Sequence, residues 1–222
     1  MVNYFKYLPL IIAHFEEYPL LTQKQADYNL FKMVIILINK GEHLTPQGLM
    51  NILSIKASSN LGLPDRLKTQ YPNIVPVVRP IVTDQTVKDP HWLSGFVDGE
   101  GYFGIMTQKS KTKLGIAVWL RFRITQHSRD EKLMHSLIEY FDCGSIQHTG
   151  NCVEFNVEKF SDIKLKIIPF FQKYHLLGAK EKDFSDFCKA AKLIEEKAHL
   201  TKEGLDVIMS LKKSMNRSRN DE

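Results

Sequence analysis

Cysteine is scarce in this chain: Cys143, Cys152 and Cys188 are the only three in 222 residues, and none form a CxxC pair. An odd, sparse set cannot build the disulfide framework of a small secreted domain and points to free thiols in a reducing compartment. Cys143, His148 and Cys152 lie near one another in sequence, but their spacing matches no zinc-ligand pattern. Long apolar runs are absent too. The longest, Met33 to Ile38, falls far short of the roughly 20 residues needed to span a bilayer, so no membrane partner is expected. The opening "MVNYFKYLPLIIAHF" has neither a basic stretch followed by a signal core nor an Arg/Ser-rich composition. No secretory or transit peptide is expected; either the protein is made where it works or a leader has been removed.

What is present reads as an ordinary globular protein. Hydrophobic residues make up 43% and charged residues 25% of the chain, and its length suffices for one large domain or two small ones with a real core. The formal net charge of +5 and the pI near 9.0 lean toward a polyanionic partner.

The chain repeats itself. Residues 11–60 align with 167–216 without a gap, at an offset of 156, with 21 identities in 50 positions. The matches include Phe15/Phe171, Tyr18/Tyr174, Lys24/Lys180, Asp27/Asp183, His43-Leu44-Thr45/His199-Leu200-Thr201, Gly48/Gly204 and Asn60/Asn216. Chance likeness between helices would need gaps and would not keep polar residues, so the segment is a duplication. The stretch preceding the second copy has no counterpart before the first. The first repeat is therefore expected here only as its C-terminal half.

Hydrophobic periodicity places a helix from residue 4 to 18 and a strong amphipathic helix after Thr22, its expected N-cap, ending near Gly41. A further helix follows Thr45, with Pro46 at its first position. Residues 71–90 hold four of the nine prolines and read as an extended linker. Asp89-Pro90 opens a helix to about Asp98. Period-two alternation then marks strands over Gly101–Gln108 and Ala117–Gln126, joined by the basic loop "KSKTKLG". A helix over 129–141 and a second hairpin turning at Gly150-Asn151 come next. The order is αββαββαα, one sheet backed by helices.

The stretch "WLSGFVDGEGYFGI" puts two carboxylates, Asp98 and Glu100, at the C-terminal end of a helix, where the dipole disfavours anions. Gly95 and Gly99 stand four apart on one helix face and would let a second helix approach closely. Acids at such an end, beside a twin, would supply oxygen ligands for divalent metal near a polyanion. On the strands, Tyr102, Gly104, Met106 and Gln108 share one face with Trp119, Arg121, Arg123 and Thr125. Gln147, Thr149 and Glu154 extend it. Arginine, glutamine and threonine at alternate sheet positions suit base contacts in a major groove, and Lys109, Lys111 and Lys113 suit phosphates.

"LSGFVDGEG", Leu93 to Gly101, resembles the signature of the LAGLIDADG homing endonucleases, with Leu93, Gly95, Asp98 and Gly101 identical. "FRITQ", Phe122 to Gln126, resembles the family's second-strand segment. The order and spacing of "WLSGFVDGEGYF", "FRITQH" and "LLG.KEKDF" are similar to the double-motif subfamily of fungal mitochondrial introns, and the likeness covers nearly the whole chain. The resemblance implies an α+β fold, αββαββα, with a saddle-shaped antiparallel sheet backed by helices. Here that would be one complete repeat plus the helical half of another. It further implies residues 1–70 as that half repeat, 71–90 as linker and 91–222 as the complete domain. By the resemblance Glu100 is the metal-binding acid, with the Gly99 carbonyl as second ligand. Asp98 bonds across paired motif helices that meet through Gly95 and Gly99. Gln126 orders attacking water, and Lys180 is the basic catalytic group, although Gly178 stands where some relatives carry lysine. Mg²⁺ is the implied cofactor, with Ca²⁺ or Mn²⁺ as substitutes, and a long double-stranded DNA site is the implied target. Partners implied besides DNA are the missing half repeat or a second copy. The implied location is the mitochondrion. Two alternatives stay open: an intron maturase that binds RNA, and a DNA-binding remnant without catalysis.

Overall fold

The computed structural model describes residues 7–216. It holds two compact units that divide between Gln85 and Thr86.

In the second unit the sequence changes period at a single point. Helix α5 (Pro90–Glu100) is capped by Asp89, whose Oδ1 accepts the His91 N–H at 2.8 Å, with Pro90 at the first helical position. It buries Leu93, Ser94 and Val97. Strand β1 (Gly101–Lys109) follows without a linking residue, and β2 (Ile116–His127) returns antiparallel to it. A short turn leads into α6 (Glu131–Phe141), then β3 (Ser145–Thr149) and β4 (Cys152–Val157), joined by the two-residue turn Gly150-Asn151 with Gly150 at φ 57°. The strands form one antiparallel sheet in the order β1-β2-β4-β3.

One face of that sheet is apolar and covered. Phe103 and Ile105 of β1, Leu120, Phe122 and Ile124 of β2, and Val153, Phe155 and Val157 of β4 are buried. α7 (Phe160–Asp162), a π-helical turn (Ile163–Ile167) and α8 (Ile168–Lys173) run on as one helical stretch. Pro169 lacks the N–H that an α-turn would donate to Leu165, which accounts for the widened turn just before it. α8 and α9 (Lys180–Glu195) bring Phe171, Phe184 and Phe187 around Phe103, at ring-centroid distances of 5.4, 5.2 and 5.3 Å. Burying each such ring stabilises the fold by about 1.5–3 kcal/mol relative to exposure. α10 (Lys202–Lys213) ties down to β1, where Lys212 Nζ donates to Thr107 Oγ1 at 2.6 Å.

The first unit is helical: α1 (Leu8–Glu17), α2 (Lys24–Asn39), α3 (Pro46–Ala57) and a short α4 (Asp65–Gln70). α2 and α9 are each 16 residues long and lie 156 residues apart, as do the caps Thr45 and Thr201, which accept the N–H of Gly48 at 3.0 Å and of Gly204 at 3.1 Å. A Cβ on Gly48 would lie 1.8 Å from Glu42 O, and one on Gly204 2.1 Å from Ala198 O. The polar identities of the repeat are thus structural.

The structure departs from the sequence reading in several places. The helix expected from residue 4 is seen from Leu8, and its first residues lie outside the described range. α2 begins at Lys24, one residue later than a helix capped at Thr22 would, but Thr22 Oγ1 still accepts the Lys24 N–H at 3.4 Å. α5 extends to Glu100, and α4 had no signal in the sequence. Residues 71–85 are extended but held against the first unit's helices. Arg79 pairs with Asp27 at 2.8 Å, Val77 N–H bonds to Ser54 O at 3.2 Å, and Gln85 donates to Leu21 O at 3.0 Å.

Candidate functional site

Among the described residues no helix of this unit covers the other face of the sheet, and the register shows what that face collects. Tyr102 pairs with Arg123, Gly104 with Arg121, Met106 with Trp119 and Gln108 with Ala117. Thr125 pairs with Glu154, and Glu154 with Gln147. Thr149 pairs with Cys152, and Asn156 with both Arg123 and Ser145. Every sheet residue proposed from alternation to face DNA therefore lies on this side, save Lys109. It is the last residue of β1, exposed, in step with Phe103 and Ile105 rather than in the loop. Lys111 and Lys113 are exposed in the β1–β2 loop.

Within this face the polar groups are organised. The Tyr102 ring lies over Gly104, where a Cβ would meet ring atoms at 2.3–2.5 Å. Gly104 is consequently buried beneath Tyr102, which occupies its place on this face. The Arg123 guanidinium sits 5.1 Å from the Tyr102 ring centroid, a cation–π distance. Arg123 Nη1 also lies 3.5 Å from Glu154 Oε1, and Thr125 Oγ1 donates to the same oxygen at 3.4 Å. Arg121 pairs with Glu158 through Nε and Nη2, and Trp119 Nε1 donates to that carboxylate at 3.4 Å. Asn156 Nδ2 donates to Gln147 Oε1 at 3.4 Å. Asn156 and Glu158 are the face members the sequence reading missed. The alternation Cys152, Glu154, Asn156, Glu158 carries them, but the strand's polar positions were not followed past Glu154.

At one end of the sheet stands the C-terminus of α5. Glu100 is its last residue and is exposed. The last carbonyls of any helix have no intrahelical partner, so the Gly99 oxygen can serve as a ligand. Asp98 is held within its own unit: Oδ2 accepts the N–H groups of Leu177 at 2.7 Å and Gly178 at 3.0 Å. Its Oδ1 is buried without a hydrogen-bond partner. A Cβ on residue 178 would come within 3.0 Å of that oxygen, which explains glycine there. The loop so anchored leads directly into α9, whose first residue is Lys180. A lysine at a helix N-terminus opposes the macrodipole. Its repeat counterpart Lys24 also begins a helix, so helix stability explains neither lysine.

Gln126 lies two residues past Ile124, the partner of Gly101, and so beyond the α5–β1 junction, at the end of the sheet that holds Glu100. By alternation it shares the side of Phe122 and Ile124, not the open face. On α5, Trp92, Gly95, Phe96 and Gly99 fall on one stripe. The rings of Trp92 and Phe96 stack at 4.9 Å, and a Cβ on Gly95 or Gly99 would meet nothing within 4 Å. The stripe is thus open for another helix.

The donor set suits a hard cation: a carboxylate and a backbone oxygen, with no thiolate or imidazole. Among the described residues no group of three or more His, Cys, Asp or Glu side chains is placed to hold a metal, so a metal at Glu100 would need further oxygens from outside. Cys143, His148 and Cys152 form no such group among the described residues. Burial pushes the Cys143 thiol up and the Cys188 thiol up to about 11. No helix among the described residues is long and apolar enough to cross a membrane.

Residues 93–191 match the family described as LAGLIDADG endonuclease. The chain is 44% identical over 204 residues to a probable intron-encoded endonuclease 3 of Neurospora crassa, covering 90% of this chain but only 38% of that protein. A crystal structure of the I-SmaMI LAGLIDADG homing endonuclease bound to cleaved DNA superimposes with a TM-score of 0.94 at 45% identity, over 96% of this chain and 72% of that one. A second I-SmaMI structure, with an uncleaved DNA target in the presence of calcium ions, gives 0.92 at 46%, over 95% of this chain and 72% of that one.

Proposed function

The chain belongs to the LAGLIDADG endonuclease family, and from that membership we propose that it forms the downstream part of a divalent-metal-dependent, site-specific DNA endonuclease. The observation that carries this is the open sheet face, where Tyr102, Met106, Gln108, Arg121, Arg123, Thr125, Gln147 and Thr149 stand together beside a helix ending in Glu100.

The face docks in a major groove. Arginine and glutamine meet base edges, and Lys109, Lys111 and Lys113 neutralise phosphates on the flank. Glu100 and the Gly99 carbonyl would hold the Mg²⁺. Bound there, the metal would lower the pKa of water and stabilise charge on the leaving oxygen. Gln126 orients water by hydrogen bonding. Lys180 offsets negative charge developing at the phosphate. Asp98 positions Lys180 through the loop at Leu177 and Gly178. The open stripe at Gly95 and Gly99 receives a second motif helix, which brings a second acid and allows both strands to be cut. Residues up to about 70 are the helical half of a first repeat, 71–90 the connection, and 91–222 the complete repeat. The sheet of the first repeat comes from upstream sequence or a separate chain. The relatives' intron-encoded origin in fungi supports a mitochondrial location.

The test is cleavage of a randomised duplex library with Mg²⁺, by this chain alone and with an N-terminal half from a relative. Metal-dependent cutting that Glu100→Gln abolishes while DNA binding survives is expected. Cleavage unchanged by Glu100→Gln would remove the metal-acid assignment. Binding to intron RNA with no preference for duplex DNA would replace the nuclease reading with a maturase.

A further inference from the structure

Acids are out of place on a surface meant for a polyanion, yet Glu154 and Glu158 both stand on the open face. Each is engaged with an arginine of β2. Glu158 takes Arg121 through Nε and Nη2, both on Oε1, and the same oxygen accepts from Trp119 Nε1 at 3.4 Å. Glu154 takes Arg123 and Thr125, while Arg123 is backed by the Tyr102 ring. Stability does not account for the first pair. The Glu158 side chain is 43% exposed, and ion pairs so placed contribute little to folding.

Orientation does account for it. An arginine free on its flexible stem bonds any phosphate it meets. Once Nε and one Nη2 hydrogen are committed to a carboxylate, the guanidinium is fixed in plane and only its far edge remains. That edge, Nη1 with the second Nη2 hydrogen, matches the O6 and N7 acceptors of guanine. The pair is also neutral, so it lacks the long-range attraction that drives sequence-independent binding. Trp119 Nε1 donates to the same oxygen, Oε1, and so helps to hold the carboxylate in place.

We propose that Glu158 is a positioning residue that converts Arg121 from a phosphate contact into a reader of one guanine in the DNA target. This rests on the open face being the DNA-binding surface, and it goes beyond that reading by assigning specificity to an acid of the face.

The experiment selects bound sequences from a randomised duplex library in Ca²⁺, then measures affinity against salt on the selected duplex. It compares the chain with Glu158→Gln, with Arg121→Lys, and with Glu195→Gln, which removes an exposed acid paired to Lys164 on the helical side. The chain should prefer guanine at one position. Glu158→Gln and Arg121→Lys should each lose about tenfold of that discrimination, at the same position and no other. Glu158→Gln should bind unselected duplex more tightly, with a salt slope steeper by about one. Glu195→Gln should keep the wild-type base preference. If Glu158→Gln keeps the wild-type preference at every position, Glu158 only tunes charge and the proposal fails while DNA recognition by the face stands. If the unmodified chain selects no duplex, the DNA-binding reading fails and takes the proposal with it.

Discussion

Asp183 Oδ1 accepts the backbone N–H of Asn216 at 2.9 Å, and Asp27 Oδ1 accepts that of Asn60 at the same distance. Each bond joins the first turn of a long helix to the residues just beyond the next one. Asn216 is left-handed, at φ 57°, and its side chain reaches Phe103 O at 3.0 Å, so the closure also fastens the helices to β1. Asp183 is buried. Replacing it with alanine removes the acceptor of a charge-assisted bond, at a cost of about 1.5–3 kcal/mol. Thermal melts of Asp183→Ala against the unmodified chain read this directly, and an unchanged midpoint would mean the bond carries no net stability.

Asp98 links the motif helix to α9. With alanine there, the N–H groups of Leu177 and Gly178 lose their acceptor, and the loop that aims Lys180 is freed. The expected effect is kinetic more than structural, because the loop is exposed. Cleavage by Asp98→Ala should fall by about a hundredfold for a displacement near 1 Å, with target affinity retained. Equal losses in affinity and rate would show that Asp98 supports the whole domain, not the position of one lysine.

Much of this was written in the sequence. Alternation of Phe122 and Ile124 with Arg121 and Arg123 gave both faces of β2, because a half-buried strand has only one way to bury every second residue. The repeat's polar identities, Thr45/Thr201 and Asp27/Asp183, were visible as matches, and the structure gives them their bonds. What stayed hidden depends on distance in the chain. Glu158 meets Arg121 across 37 residues, and Asp98 meets Leu177 across 79. No local pattern encodes either partner. Gly104 read as one of the DNA-facing positions of β1. Its missing side chain in fact makes room for the Tyr102 ring, two residues earlier on the same strand face.

Cys188 gives a pH dependence with a definite sign. Burial raises its thiol from the model-compound value of 9.0 to about 11 in the folded chain. Between those values the unfolded chain has lost a proton that the folded chain keeps, so stability falls as pH rises through that window and is fully present below it. Melting midpoints measured from pH 8 to 11 should therefore decline less steeply for Cys188→Ala than for the unmodified chain. At pH 8 the thiol should resist maleimide until the protein is unfolded. Rapid labelling of Cys188 in the folded state would contradict the burial that raises it.

Gly95 separates folding from assembly. A Cβ built there meets nothing within 4 Å among the described residues. Glycine in a helix interior is unfavourable by about 1 kcal/mol relative to the best helix formers. Gly95→Leu should thus melt no lower than the unmodified chain, and its circular dichroism should be unchanged. If the stripe exists to let a second motif helix come close, leucine holds that helix away. The two acids are then misplaced on the scissile phosphates. Cleavage with an added N-terminal half should drop by about a hundredfold, with this chain's own binding to its half of the target preserved. A Gly95→Leu chain that cuts normally would show that α5 pairs through another face, or that Glu100 works without a partner helix.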